Sequence, residues 1–258
     1  MTNGPRQTAP AWTTPVIGFQ AARNPGARRP RETSEVASEL APDLPILGFW
    51  HIGAVGDWHR IVTEQYAKLR QFGLYDASQT IIVGFIGGRG HELPVPLLGD
   101  GKFEVFATDA VEDYEFPTLA RAWREARERA GPFLCYYLHT KGASLAGTPR
   151  QRGANAWRAY MEYFTLERWQ DCAAILRDHD TCGVELQSSD SHYSGNFWWA
   201  TSDYLRKLPD ADRYWDENRG NRIAAEFYLC LARPKAHCFI DFEEDLYEHE
   251  LPPEAYRR

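Results

Sequence analysis

Residues Pro132-Phe133-Leu134-Cys135-Tyr136-Tyr137-Leu138 form a short apolar run, with Gly131 before it and Gly142 after it. A run that is apolar at every position has no polar face to offer water. It reads as a central strand covered on both sides, which calls for helices above and below and so for an α/β sheet. The pattern then changes abruptly to His139-Thr140-Lys141, three side chains that donate or exchange protons. Ligands of open α/β sheets bind at the carboxyl ends of the strands. The His-Thr-Lys strand end is therefore a candidate site, set against the plainer account of a strand that simply reaches water.

The rest of the chain supplies the other layers. Ile46–Ile52 reads as a first strand, followed by a helix over Trp58–Phe72 with Asp57 as its cap. Trp58, Ile61, Val62, Tyr66 and Leu69 put one face of that helix on the core, and Gly73 stands where a helix ends. Thr80–Ile86 is a continuous β-branched run of the kind buried on both faces. The Gly87-Gly88-Arg89-Gly90 turn after it lacks the spacing of a phosphate-binding loop. Phe103–Ala107 is a third strand, ending in Thr108 and Asp109, and Pro117 opens a helix that faces the core with Leu119, Ala120, Trp123 and Ala126. The order β-α-β-β-α-β predicts a single α/β domain with a largely parallel sheet flanked by helices.

Beyond the central strand, a loop over Ala143–Gly153 carries Ser144, Thr148, Arg150 and Arg152. One long helix is expected from Ala154 to about Arg177, then a strand over Thr181–Leu186. Ser191-His192-Tyr193-Ser194-Gly195-Asn196 is a polar loop that runs straight into Phe197-Trp198-Trp199-Ala200. Gly195 and Asn196 tolerate left-handed backbone and close approach, and the tryptophans offer a wall for a sugar or nucleotide or else pack in the core. Ser202 can cap a short helix reaching Leu208. A helix over Asn221–Leu231 carries Arg222 and Glu226, for which an i, i+4 ion pair is the simplest account. A last strand falls over Ala236–Ile240, and the acidic stretch from Asp241 to Asp245 is expected to be solvated.

Residues 1–43 are expected to be a disordered or loosely attached leader, 44–251 the folded domain and 252–258 a C-terminal tail. A net charge of -7 argues against a nucleic-acid binder working through a broad basic surface. The 5 cysteines are scattered without a Cys-x-x-Cys pair, which predicts neither a disulfide framework nor a structural zinc site. No stretch is long and apolar enough to span a membrane, and the N-terminal residues lack signal-peptide order. A cytoplasmic location is the resulting expectation.

Tyr137-Leu138-His139-Thr140-Lys141, then Trp157-Arg158 in a long helix, then Gly195-Asn196-Phe197-Trp198-Trp199-Ala200 together resemble the rhamnan-synthesis and lipopolysaccharide-type glycosyltransferases. The resemblance spans roughly Leu44 to Leu231, with its motifs after Pro132. It implies a GT-A-like (Rossmann-like) fold with a mostly parallel mixed sheet, a nucleotide-sugar donor, a glycan or other hydroxyl acceptor and a role in polysaccharide biosynthesis. It also implies that His139, Thr140, Lys141, Arg150, Arg152 and Asp109 serve the donor side, with Lys141, helped by His139 and by Arg150 or Arg152, offsetting the departing diphosphate charge. On the same footing Glu226 is the candidate general base and His192 the second. Asp190, Ser194, Gly195, Asn196, Trp198 and Arg222 would then build the acceptor or sugar wall. One departure is clear: the Asp-x-Asp that holds Mn²⁺ or Mg²⁺ in such enzymes is absent, which leaves the metal unassigned with Asp109 and Asp190 as lone carboxylates. Two other classes stay open, a non-catalytic carbohydrate-binding or assembly protein with the same fold, and an α/β phosphate-ester hydrolase using His139 or His192.

Overall fold

The computed structural model describes residues 44–88, 92–93, 97, 99–187, 191–242 and 244–257. Its centre is a seven-stranded sheet in the order β3-β2-β1-β4-β6-β5-β7. The strands are β1 (Ile46–Gly53), β2 (Ser78–Ile86), β3 (Phe103–Thr108), β4 (Leu134–His139), β5 (Thr181–Gly183), β6 (Trp198–Thr201) and β7 (Ala236–Cys238). β6 runs antiparallel to both its neighbours, β4 and β5, while the remaining pairs are parallel. The mostly parallel α/β sheet expected from the apolar runs is thus present, made mixed by β6.

Side-chain alternation along the strands divides the core in two. Trp50, Ile52, Tyr136, Leu138 and Trp199 pack on one face with α1 (Trp58–Gln71), beside the short α2 (Leu74–Ala77). Leu47, Phe49, Cys135, Tyr137, Trp198 and Ala200 pack on the other face with α3 (Phe116–Glu128). The 5 cysteines are all free, and four of them are buried. No helix among the described residues is long and apolar enough to cross a membrane.

Several boundaries differ from the expectation, each for a local reason. The long helix is interrupted: α4 (Gln151–Glu162) passes through a π-turn at Tyr163–Glu167 before α5 (Trp169–Ile175). Tyr163, Phe164, Thr165 and Leu166 are consecutive and all buried, which a helix of about 3.6 residues per turn cannot arrange against a single face. The Thr181–Leu186 strand stops at Gly183, because Glu185 takes a left-handed φ of 53° and turns the chain. Leu186 keeps only an isolated bridge to Tyr193.

Asp57 does not cap α1; its carboxylate is held by Arg60 instead. Thr201, not Ser202, caps α6 (Ser202–Leu205) by accepting from the Tyr204 amide, and Ser202 accepts from the Phe133 amide at 2.9 Å. A helix absent from the sequence reading, α7 (Ala211–Glu217), lies before α8 (Ala224–Tyr228), which is shorter than the Asn221–Leu231 span expected.

Asp241, Glu244 and Asp245 are exposed, as an acidic stretch should be. The apolar residues around them are not. Leu246, Leu251 and Tyr256 are buried in the same core as α1.

Candidate functional site

The site begins where β1 and β4 end side by side. His51 and His139 are direct partners in the parallel register, so both side chains leave the sheet on the α3 face. Thr140 stitches the two strand ends together: its amide donates to the His51 carbonyl at 3.1 Å, and its hydroxyl accepts from the Gly53 amide at 3.0 Å. His139 Nε2 lies 2.8 Å from the Gly195 carbonyl. A carbonyl only accepts, so this nitrogen carries the proton. His51 Nδ1 meets the Thr118 hydroxyl at 3.2 Å.

Both imidazoles are held neutral. Burial pushes His51 down to about 4, only partly opposed by Glu115. Burial, helped by the Lys141 charge, pushes His139 down to about 3. Glu185 runs the other way: burial and then Asp241 push its carboxyl up to about 7. Below about pH 6.5 the unfolded chain protonates two imidazoles that the folded chain keeps neutral, so their contribution is lost as pH falls toward 4. The Glu185 contribution is full at low pH and lost as pH rises through about 7. With His51 and His139 strongly lowered, His192 and His237 lowered as well, and Glu185 alone set against them, the urea midpoint is expected to peak near neutrality and fall steadily on acidification. A midpoint that rises from pH 6.5 to 4.5 would contradict this balance.

The 191–197 loop closes one side. Gly195 has φ 88° and Asn196 φ 57°, both left-handed. A Cβ on Gly195 would stand 2.6 Å from Met161 Sδ, so this position needs glycine for space as well as for conformation. Asn196 Nδ2 donates to Glu115 Oε2 at 2.7 Å, while its Oδ1 accepts from Trp198 Nε1 at 2.9 Å. The Tyr137 hydroxyl donates to the same Glu115 oxygen at 2.9 Å. Glu115 is thus a central residue that sequence reasoning missed. Its only signal was its place just before the Phe116-Pro117 helix start, at the carboxyl edge of the sheet. Trp198 is not a wall: it is 1% exposed and stacks on Tyr137 with centroids 5.2 Å apart. It positions Asn196 from within the core.

Glu226, from α8, brings Oε2 to 3.4 Å from the Gly195 amide. Its charge is felt by both His139 and His192, and the Arg222 charge by His139. No Arg222–Glu226 ion pair forms among the described residues, so the simplest sequence account of that helix does not hold. The His192 ring packs 4.4 Å from that of Phe227, and burial lowers its pKa. Ser191 Oγ sits 3.0 Å from His192 Nδ1, and Ser194 Oγ 3.5 Å from Nε2.

Lys141 occupies the other side of the strand end. It is 6% exposed, with Nζ 3.8 Å from the Trp157 ring centroid and 3.2 Å from the Tyr247 hydroxyl. Among the described residues it has no carboxylate partner. Tyr247 comes from the C-terminal segment, which is pressed so closely on α4 that a Cβ on Gly153 would stand 2.4 Å from the Tyr247 carbonyl oxygen. Arg150 is drawn to the same segment and pairs with Glu248 at 2.8 Å, on the surface. Arg152 and Asp109 are exposed, and among the described residues no hydrogen bond or ion pair joins their side chains to this cluster. Asp190 lies outside the described residues. No three His, Cys, Asp or Glu side chains among the described residues are grouped to hold a metal ion.

The end of β4, the 191–197 loop and the start of α8 all fall within residues 53–239, which match the sequence pattern of a family described as Domain of unknown function (DUF8361). The chain belongs to this family. Among curated proteins none matches it. The DUF8361 match begins at the end of β1 and closes after β7, so it takes in His139, Lys141, Gly195 and Glu226. Tyr247, which covers Lys141, lies beyond the DUF8361 region.

Proposed function

We propose that this DUF8361 chain is a glycosyltransferase that moves a sugar from a nucleotide-sugar donor to a hydroxyl acceptor. The observation that carries the reading is Lys141. A buried ammonium without a carboxylate partner is costly, and contact with the Trp157 ring offsets only part of that cost. Such a charge fits an anionic ligand, and its place at the carboxyl end of β4 is where an α/β sheet binds one. The mixed sheet with a single antiparallel strand supports a GT-A-like form of the fold.

In this reading Lys141 offsets the charge that builds on the diphosphate as the glycosidic C–O bond breaks. Neutral His139 orients the site through its hydrogen bond to Gly195 and leaves the positive charge to Lys141. Glu226 takes the proton of the acceptor hydroxyl as its oxygen bonds to the anomeric carbon. Tyr247 must move off Lys141, or share it, for the diphosphate to arrive. Tyr247→Ala, which uncovers the ammonium, is therefore expected to tighten nucleoside diphosphate binding severalfold by calorimetry. Unchanged or weaker binding would make Tyr247 part of the ligand site and not a cover.

The function itself is tested by thermal shift of the full chain with nucleoside diphosphates and nucleotide sugars, with and without Mn²⁺. A ligand of the native state raises the melting temperature once it exceeds its dissociation constant. A shift by one diphosphate and its sugar, with transfer to an acceptor, supports the proposal. Carbohydrate binding with no donor effect would favour the binding-protein class, and phosphate release from simple esters the hydrolase.

A further inference from the structure

Glu115 and His139 face one another with two hydrogen-bond acceptors. His139 gives its Nε2 proton to the Gly195 carbonyl, which leaves the lone pair of Nδ1 toward Glu115 Oε1 at 3.7 Å. The other carboxylate oxygen already has its donors, the Tyr137 hydroxyl at 2.9 Å and the Asn196 amide at 2.7 Å. Among the described residues Oε1 has no donor. Neither side chain is sealed from outside, His139 being 13% and Glu115 16% exposed.

Two acceptors turned toward each other do not bind; each wants a proton from a third party. The arrangement is nonetheless held firmly. Tyr137 and Asn196 fix the carboxylate, and Asn196 itself sits in a left-handed conformation that a non-glycine residue adopts at a cost. A rigid pair of acceptors about this far apart suits a ligand that brings two adjacent donors. We propose that the notch between Glu115 Oε1 and His139 Nδ1 receives a vicinal diol, one hydroxyl donating to each acceptor. The assignment deepens the transferase reading and rests on it for its ligand: a nucleotide sugar carries such diols on both its ribose and its hexose.

The test uses the full-length chain and its Glu115→Gln variant. A glutamine keeps an oxygen for Tyr137 and Asn196 and turns an N–H toward His139 Nδ1, so the variant is expected to fold with a melting temperature at or above that of the wild type. Both proteins are titrated with UDP and GDP, with their 2′-deoxy counterparts, and with a panel of methyl hexosides. If the ribose fills the notch, the wild type prefers the ribonucleotide by about tenfold to a hundredfold and the variant shows no preference. If the hexose fills it, the wild type binds a methyl hexoside and the variant loses that binding by a similar factor.

Equal behaviour of the two proteins toward every diol overturns the proposal. If the variant does not fold, the His139 Nδ1 resonance of ¹⁵N-labelled wild type decides, since a donating hydroxyl must move it and an unmoved signal with all ligands rejects the notch. Normal transfer by the variant would leave the transferase standing and remove the notch. A hexoside held through Glu115, with no nucleotide bound at all, would keep the notch and remove the transferase.

Discussion

Lys141→Ala is expected to keep its fold and to lose at least about a hundredfold in transfer from the nucleotide sugar, the scale on which removal of one preorganised electrostatic contact slows a reaction. The ammonium lies between the Trp157 and Tyr247 rings, its Nζ 3.8 and 5.1 Å from their centroids. Those rings stand edge to face at 4.9 Å and can hold their places without it. Loss of the charge therefore falls on the ligand and not on the core. The loss should appear in kcat, because the diphosphate gains charge as the bond breaks, and it should weaken diphosphate binding as well. Lys141→Arg is expected to rescue little, since a broad, delocalised guanidinium does not place its charge where a compact point-like ammonium does. Steady-state kinetics with the donor found by thermal shift gives the answer. Wild-type turnover by Lys141→Ala would take Lys141 out of the diphosphate site.

Glu162→Ala should cost about 3–5 kcal/mol, the usual penalty for leaving a buried charge without its partner. Glu162 is 2% exposed and accepts from Gln65 Nε2 at 2.9 Å. It also pairs with Arg158 Nε at 3.2 Å and with Lys68 Nζ at 3.0 Å. Burial works against the Lys68 charge, yet Glu162 and Glu167 outweigh it and hold its pKa above the usual value. Without Glu162, Arg158 at 4% exposure keeps Glu64, whose side chain is 41% exposed, as its carboxylate partner, besides neutral acceptors on Lys141 and Asn155. For a domain of this size the loss corresponds to a fall of roughly 10 °C in melting temperature. Glu162→Gln should fall between, as it keeps an acceptor for Gln65 while losing the charge. Gln65 also donates to the His139 carbonyl at 2.9 Å, so the network braces the end of β4 from the face opposite Glu115. A melting temperature within about 2 °C of wild type would assign the network to the surface-like class of ion pairs.

Much of the scaffold was legible in the chain. The Thr80–Ile86 and Pro132–Leu138 runs have no polar face, and that alone demands strands covered on both sides. His139, Thr140 and Lys141 break such a run at its carboxyl end, and Gly195-Asn196 breaks the next one at its start. These are changes of local pattern, and a local pattern can be read without neighbours. The π-turn that breaks the helix after Ala154 is not legible for a related reason: periodicity records which residues are apolar, not the winding needed to bury four in succession.

What stayed hidden depends on contacts between distant segments. Glu115 is one carboxylate among many until β4 and the 191–197 loop bring Tyr137 and Asn196 to it. Trp198 reads equally well as a wall or as core, and only its stacking on Tyr137 decides for the core. Lys141 and Tyr247 are 106 residues apart, so no spacing rule links the ammonium to its cover. The sequence by itself determined the α/β class, the strands and the edge of the sheet where charged and proton-donating groups gather, because these follow from which residues water rejects. The tertiary structure decided which of those groups meet, which are neutral and which are covered, because hydrogen bonds of about 3 Å are set by packing between elements and not by order along the chain.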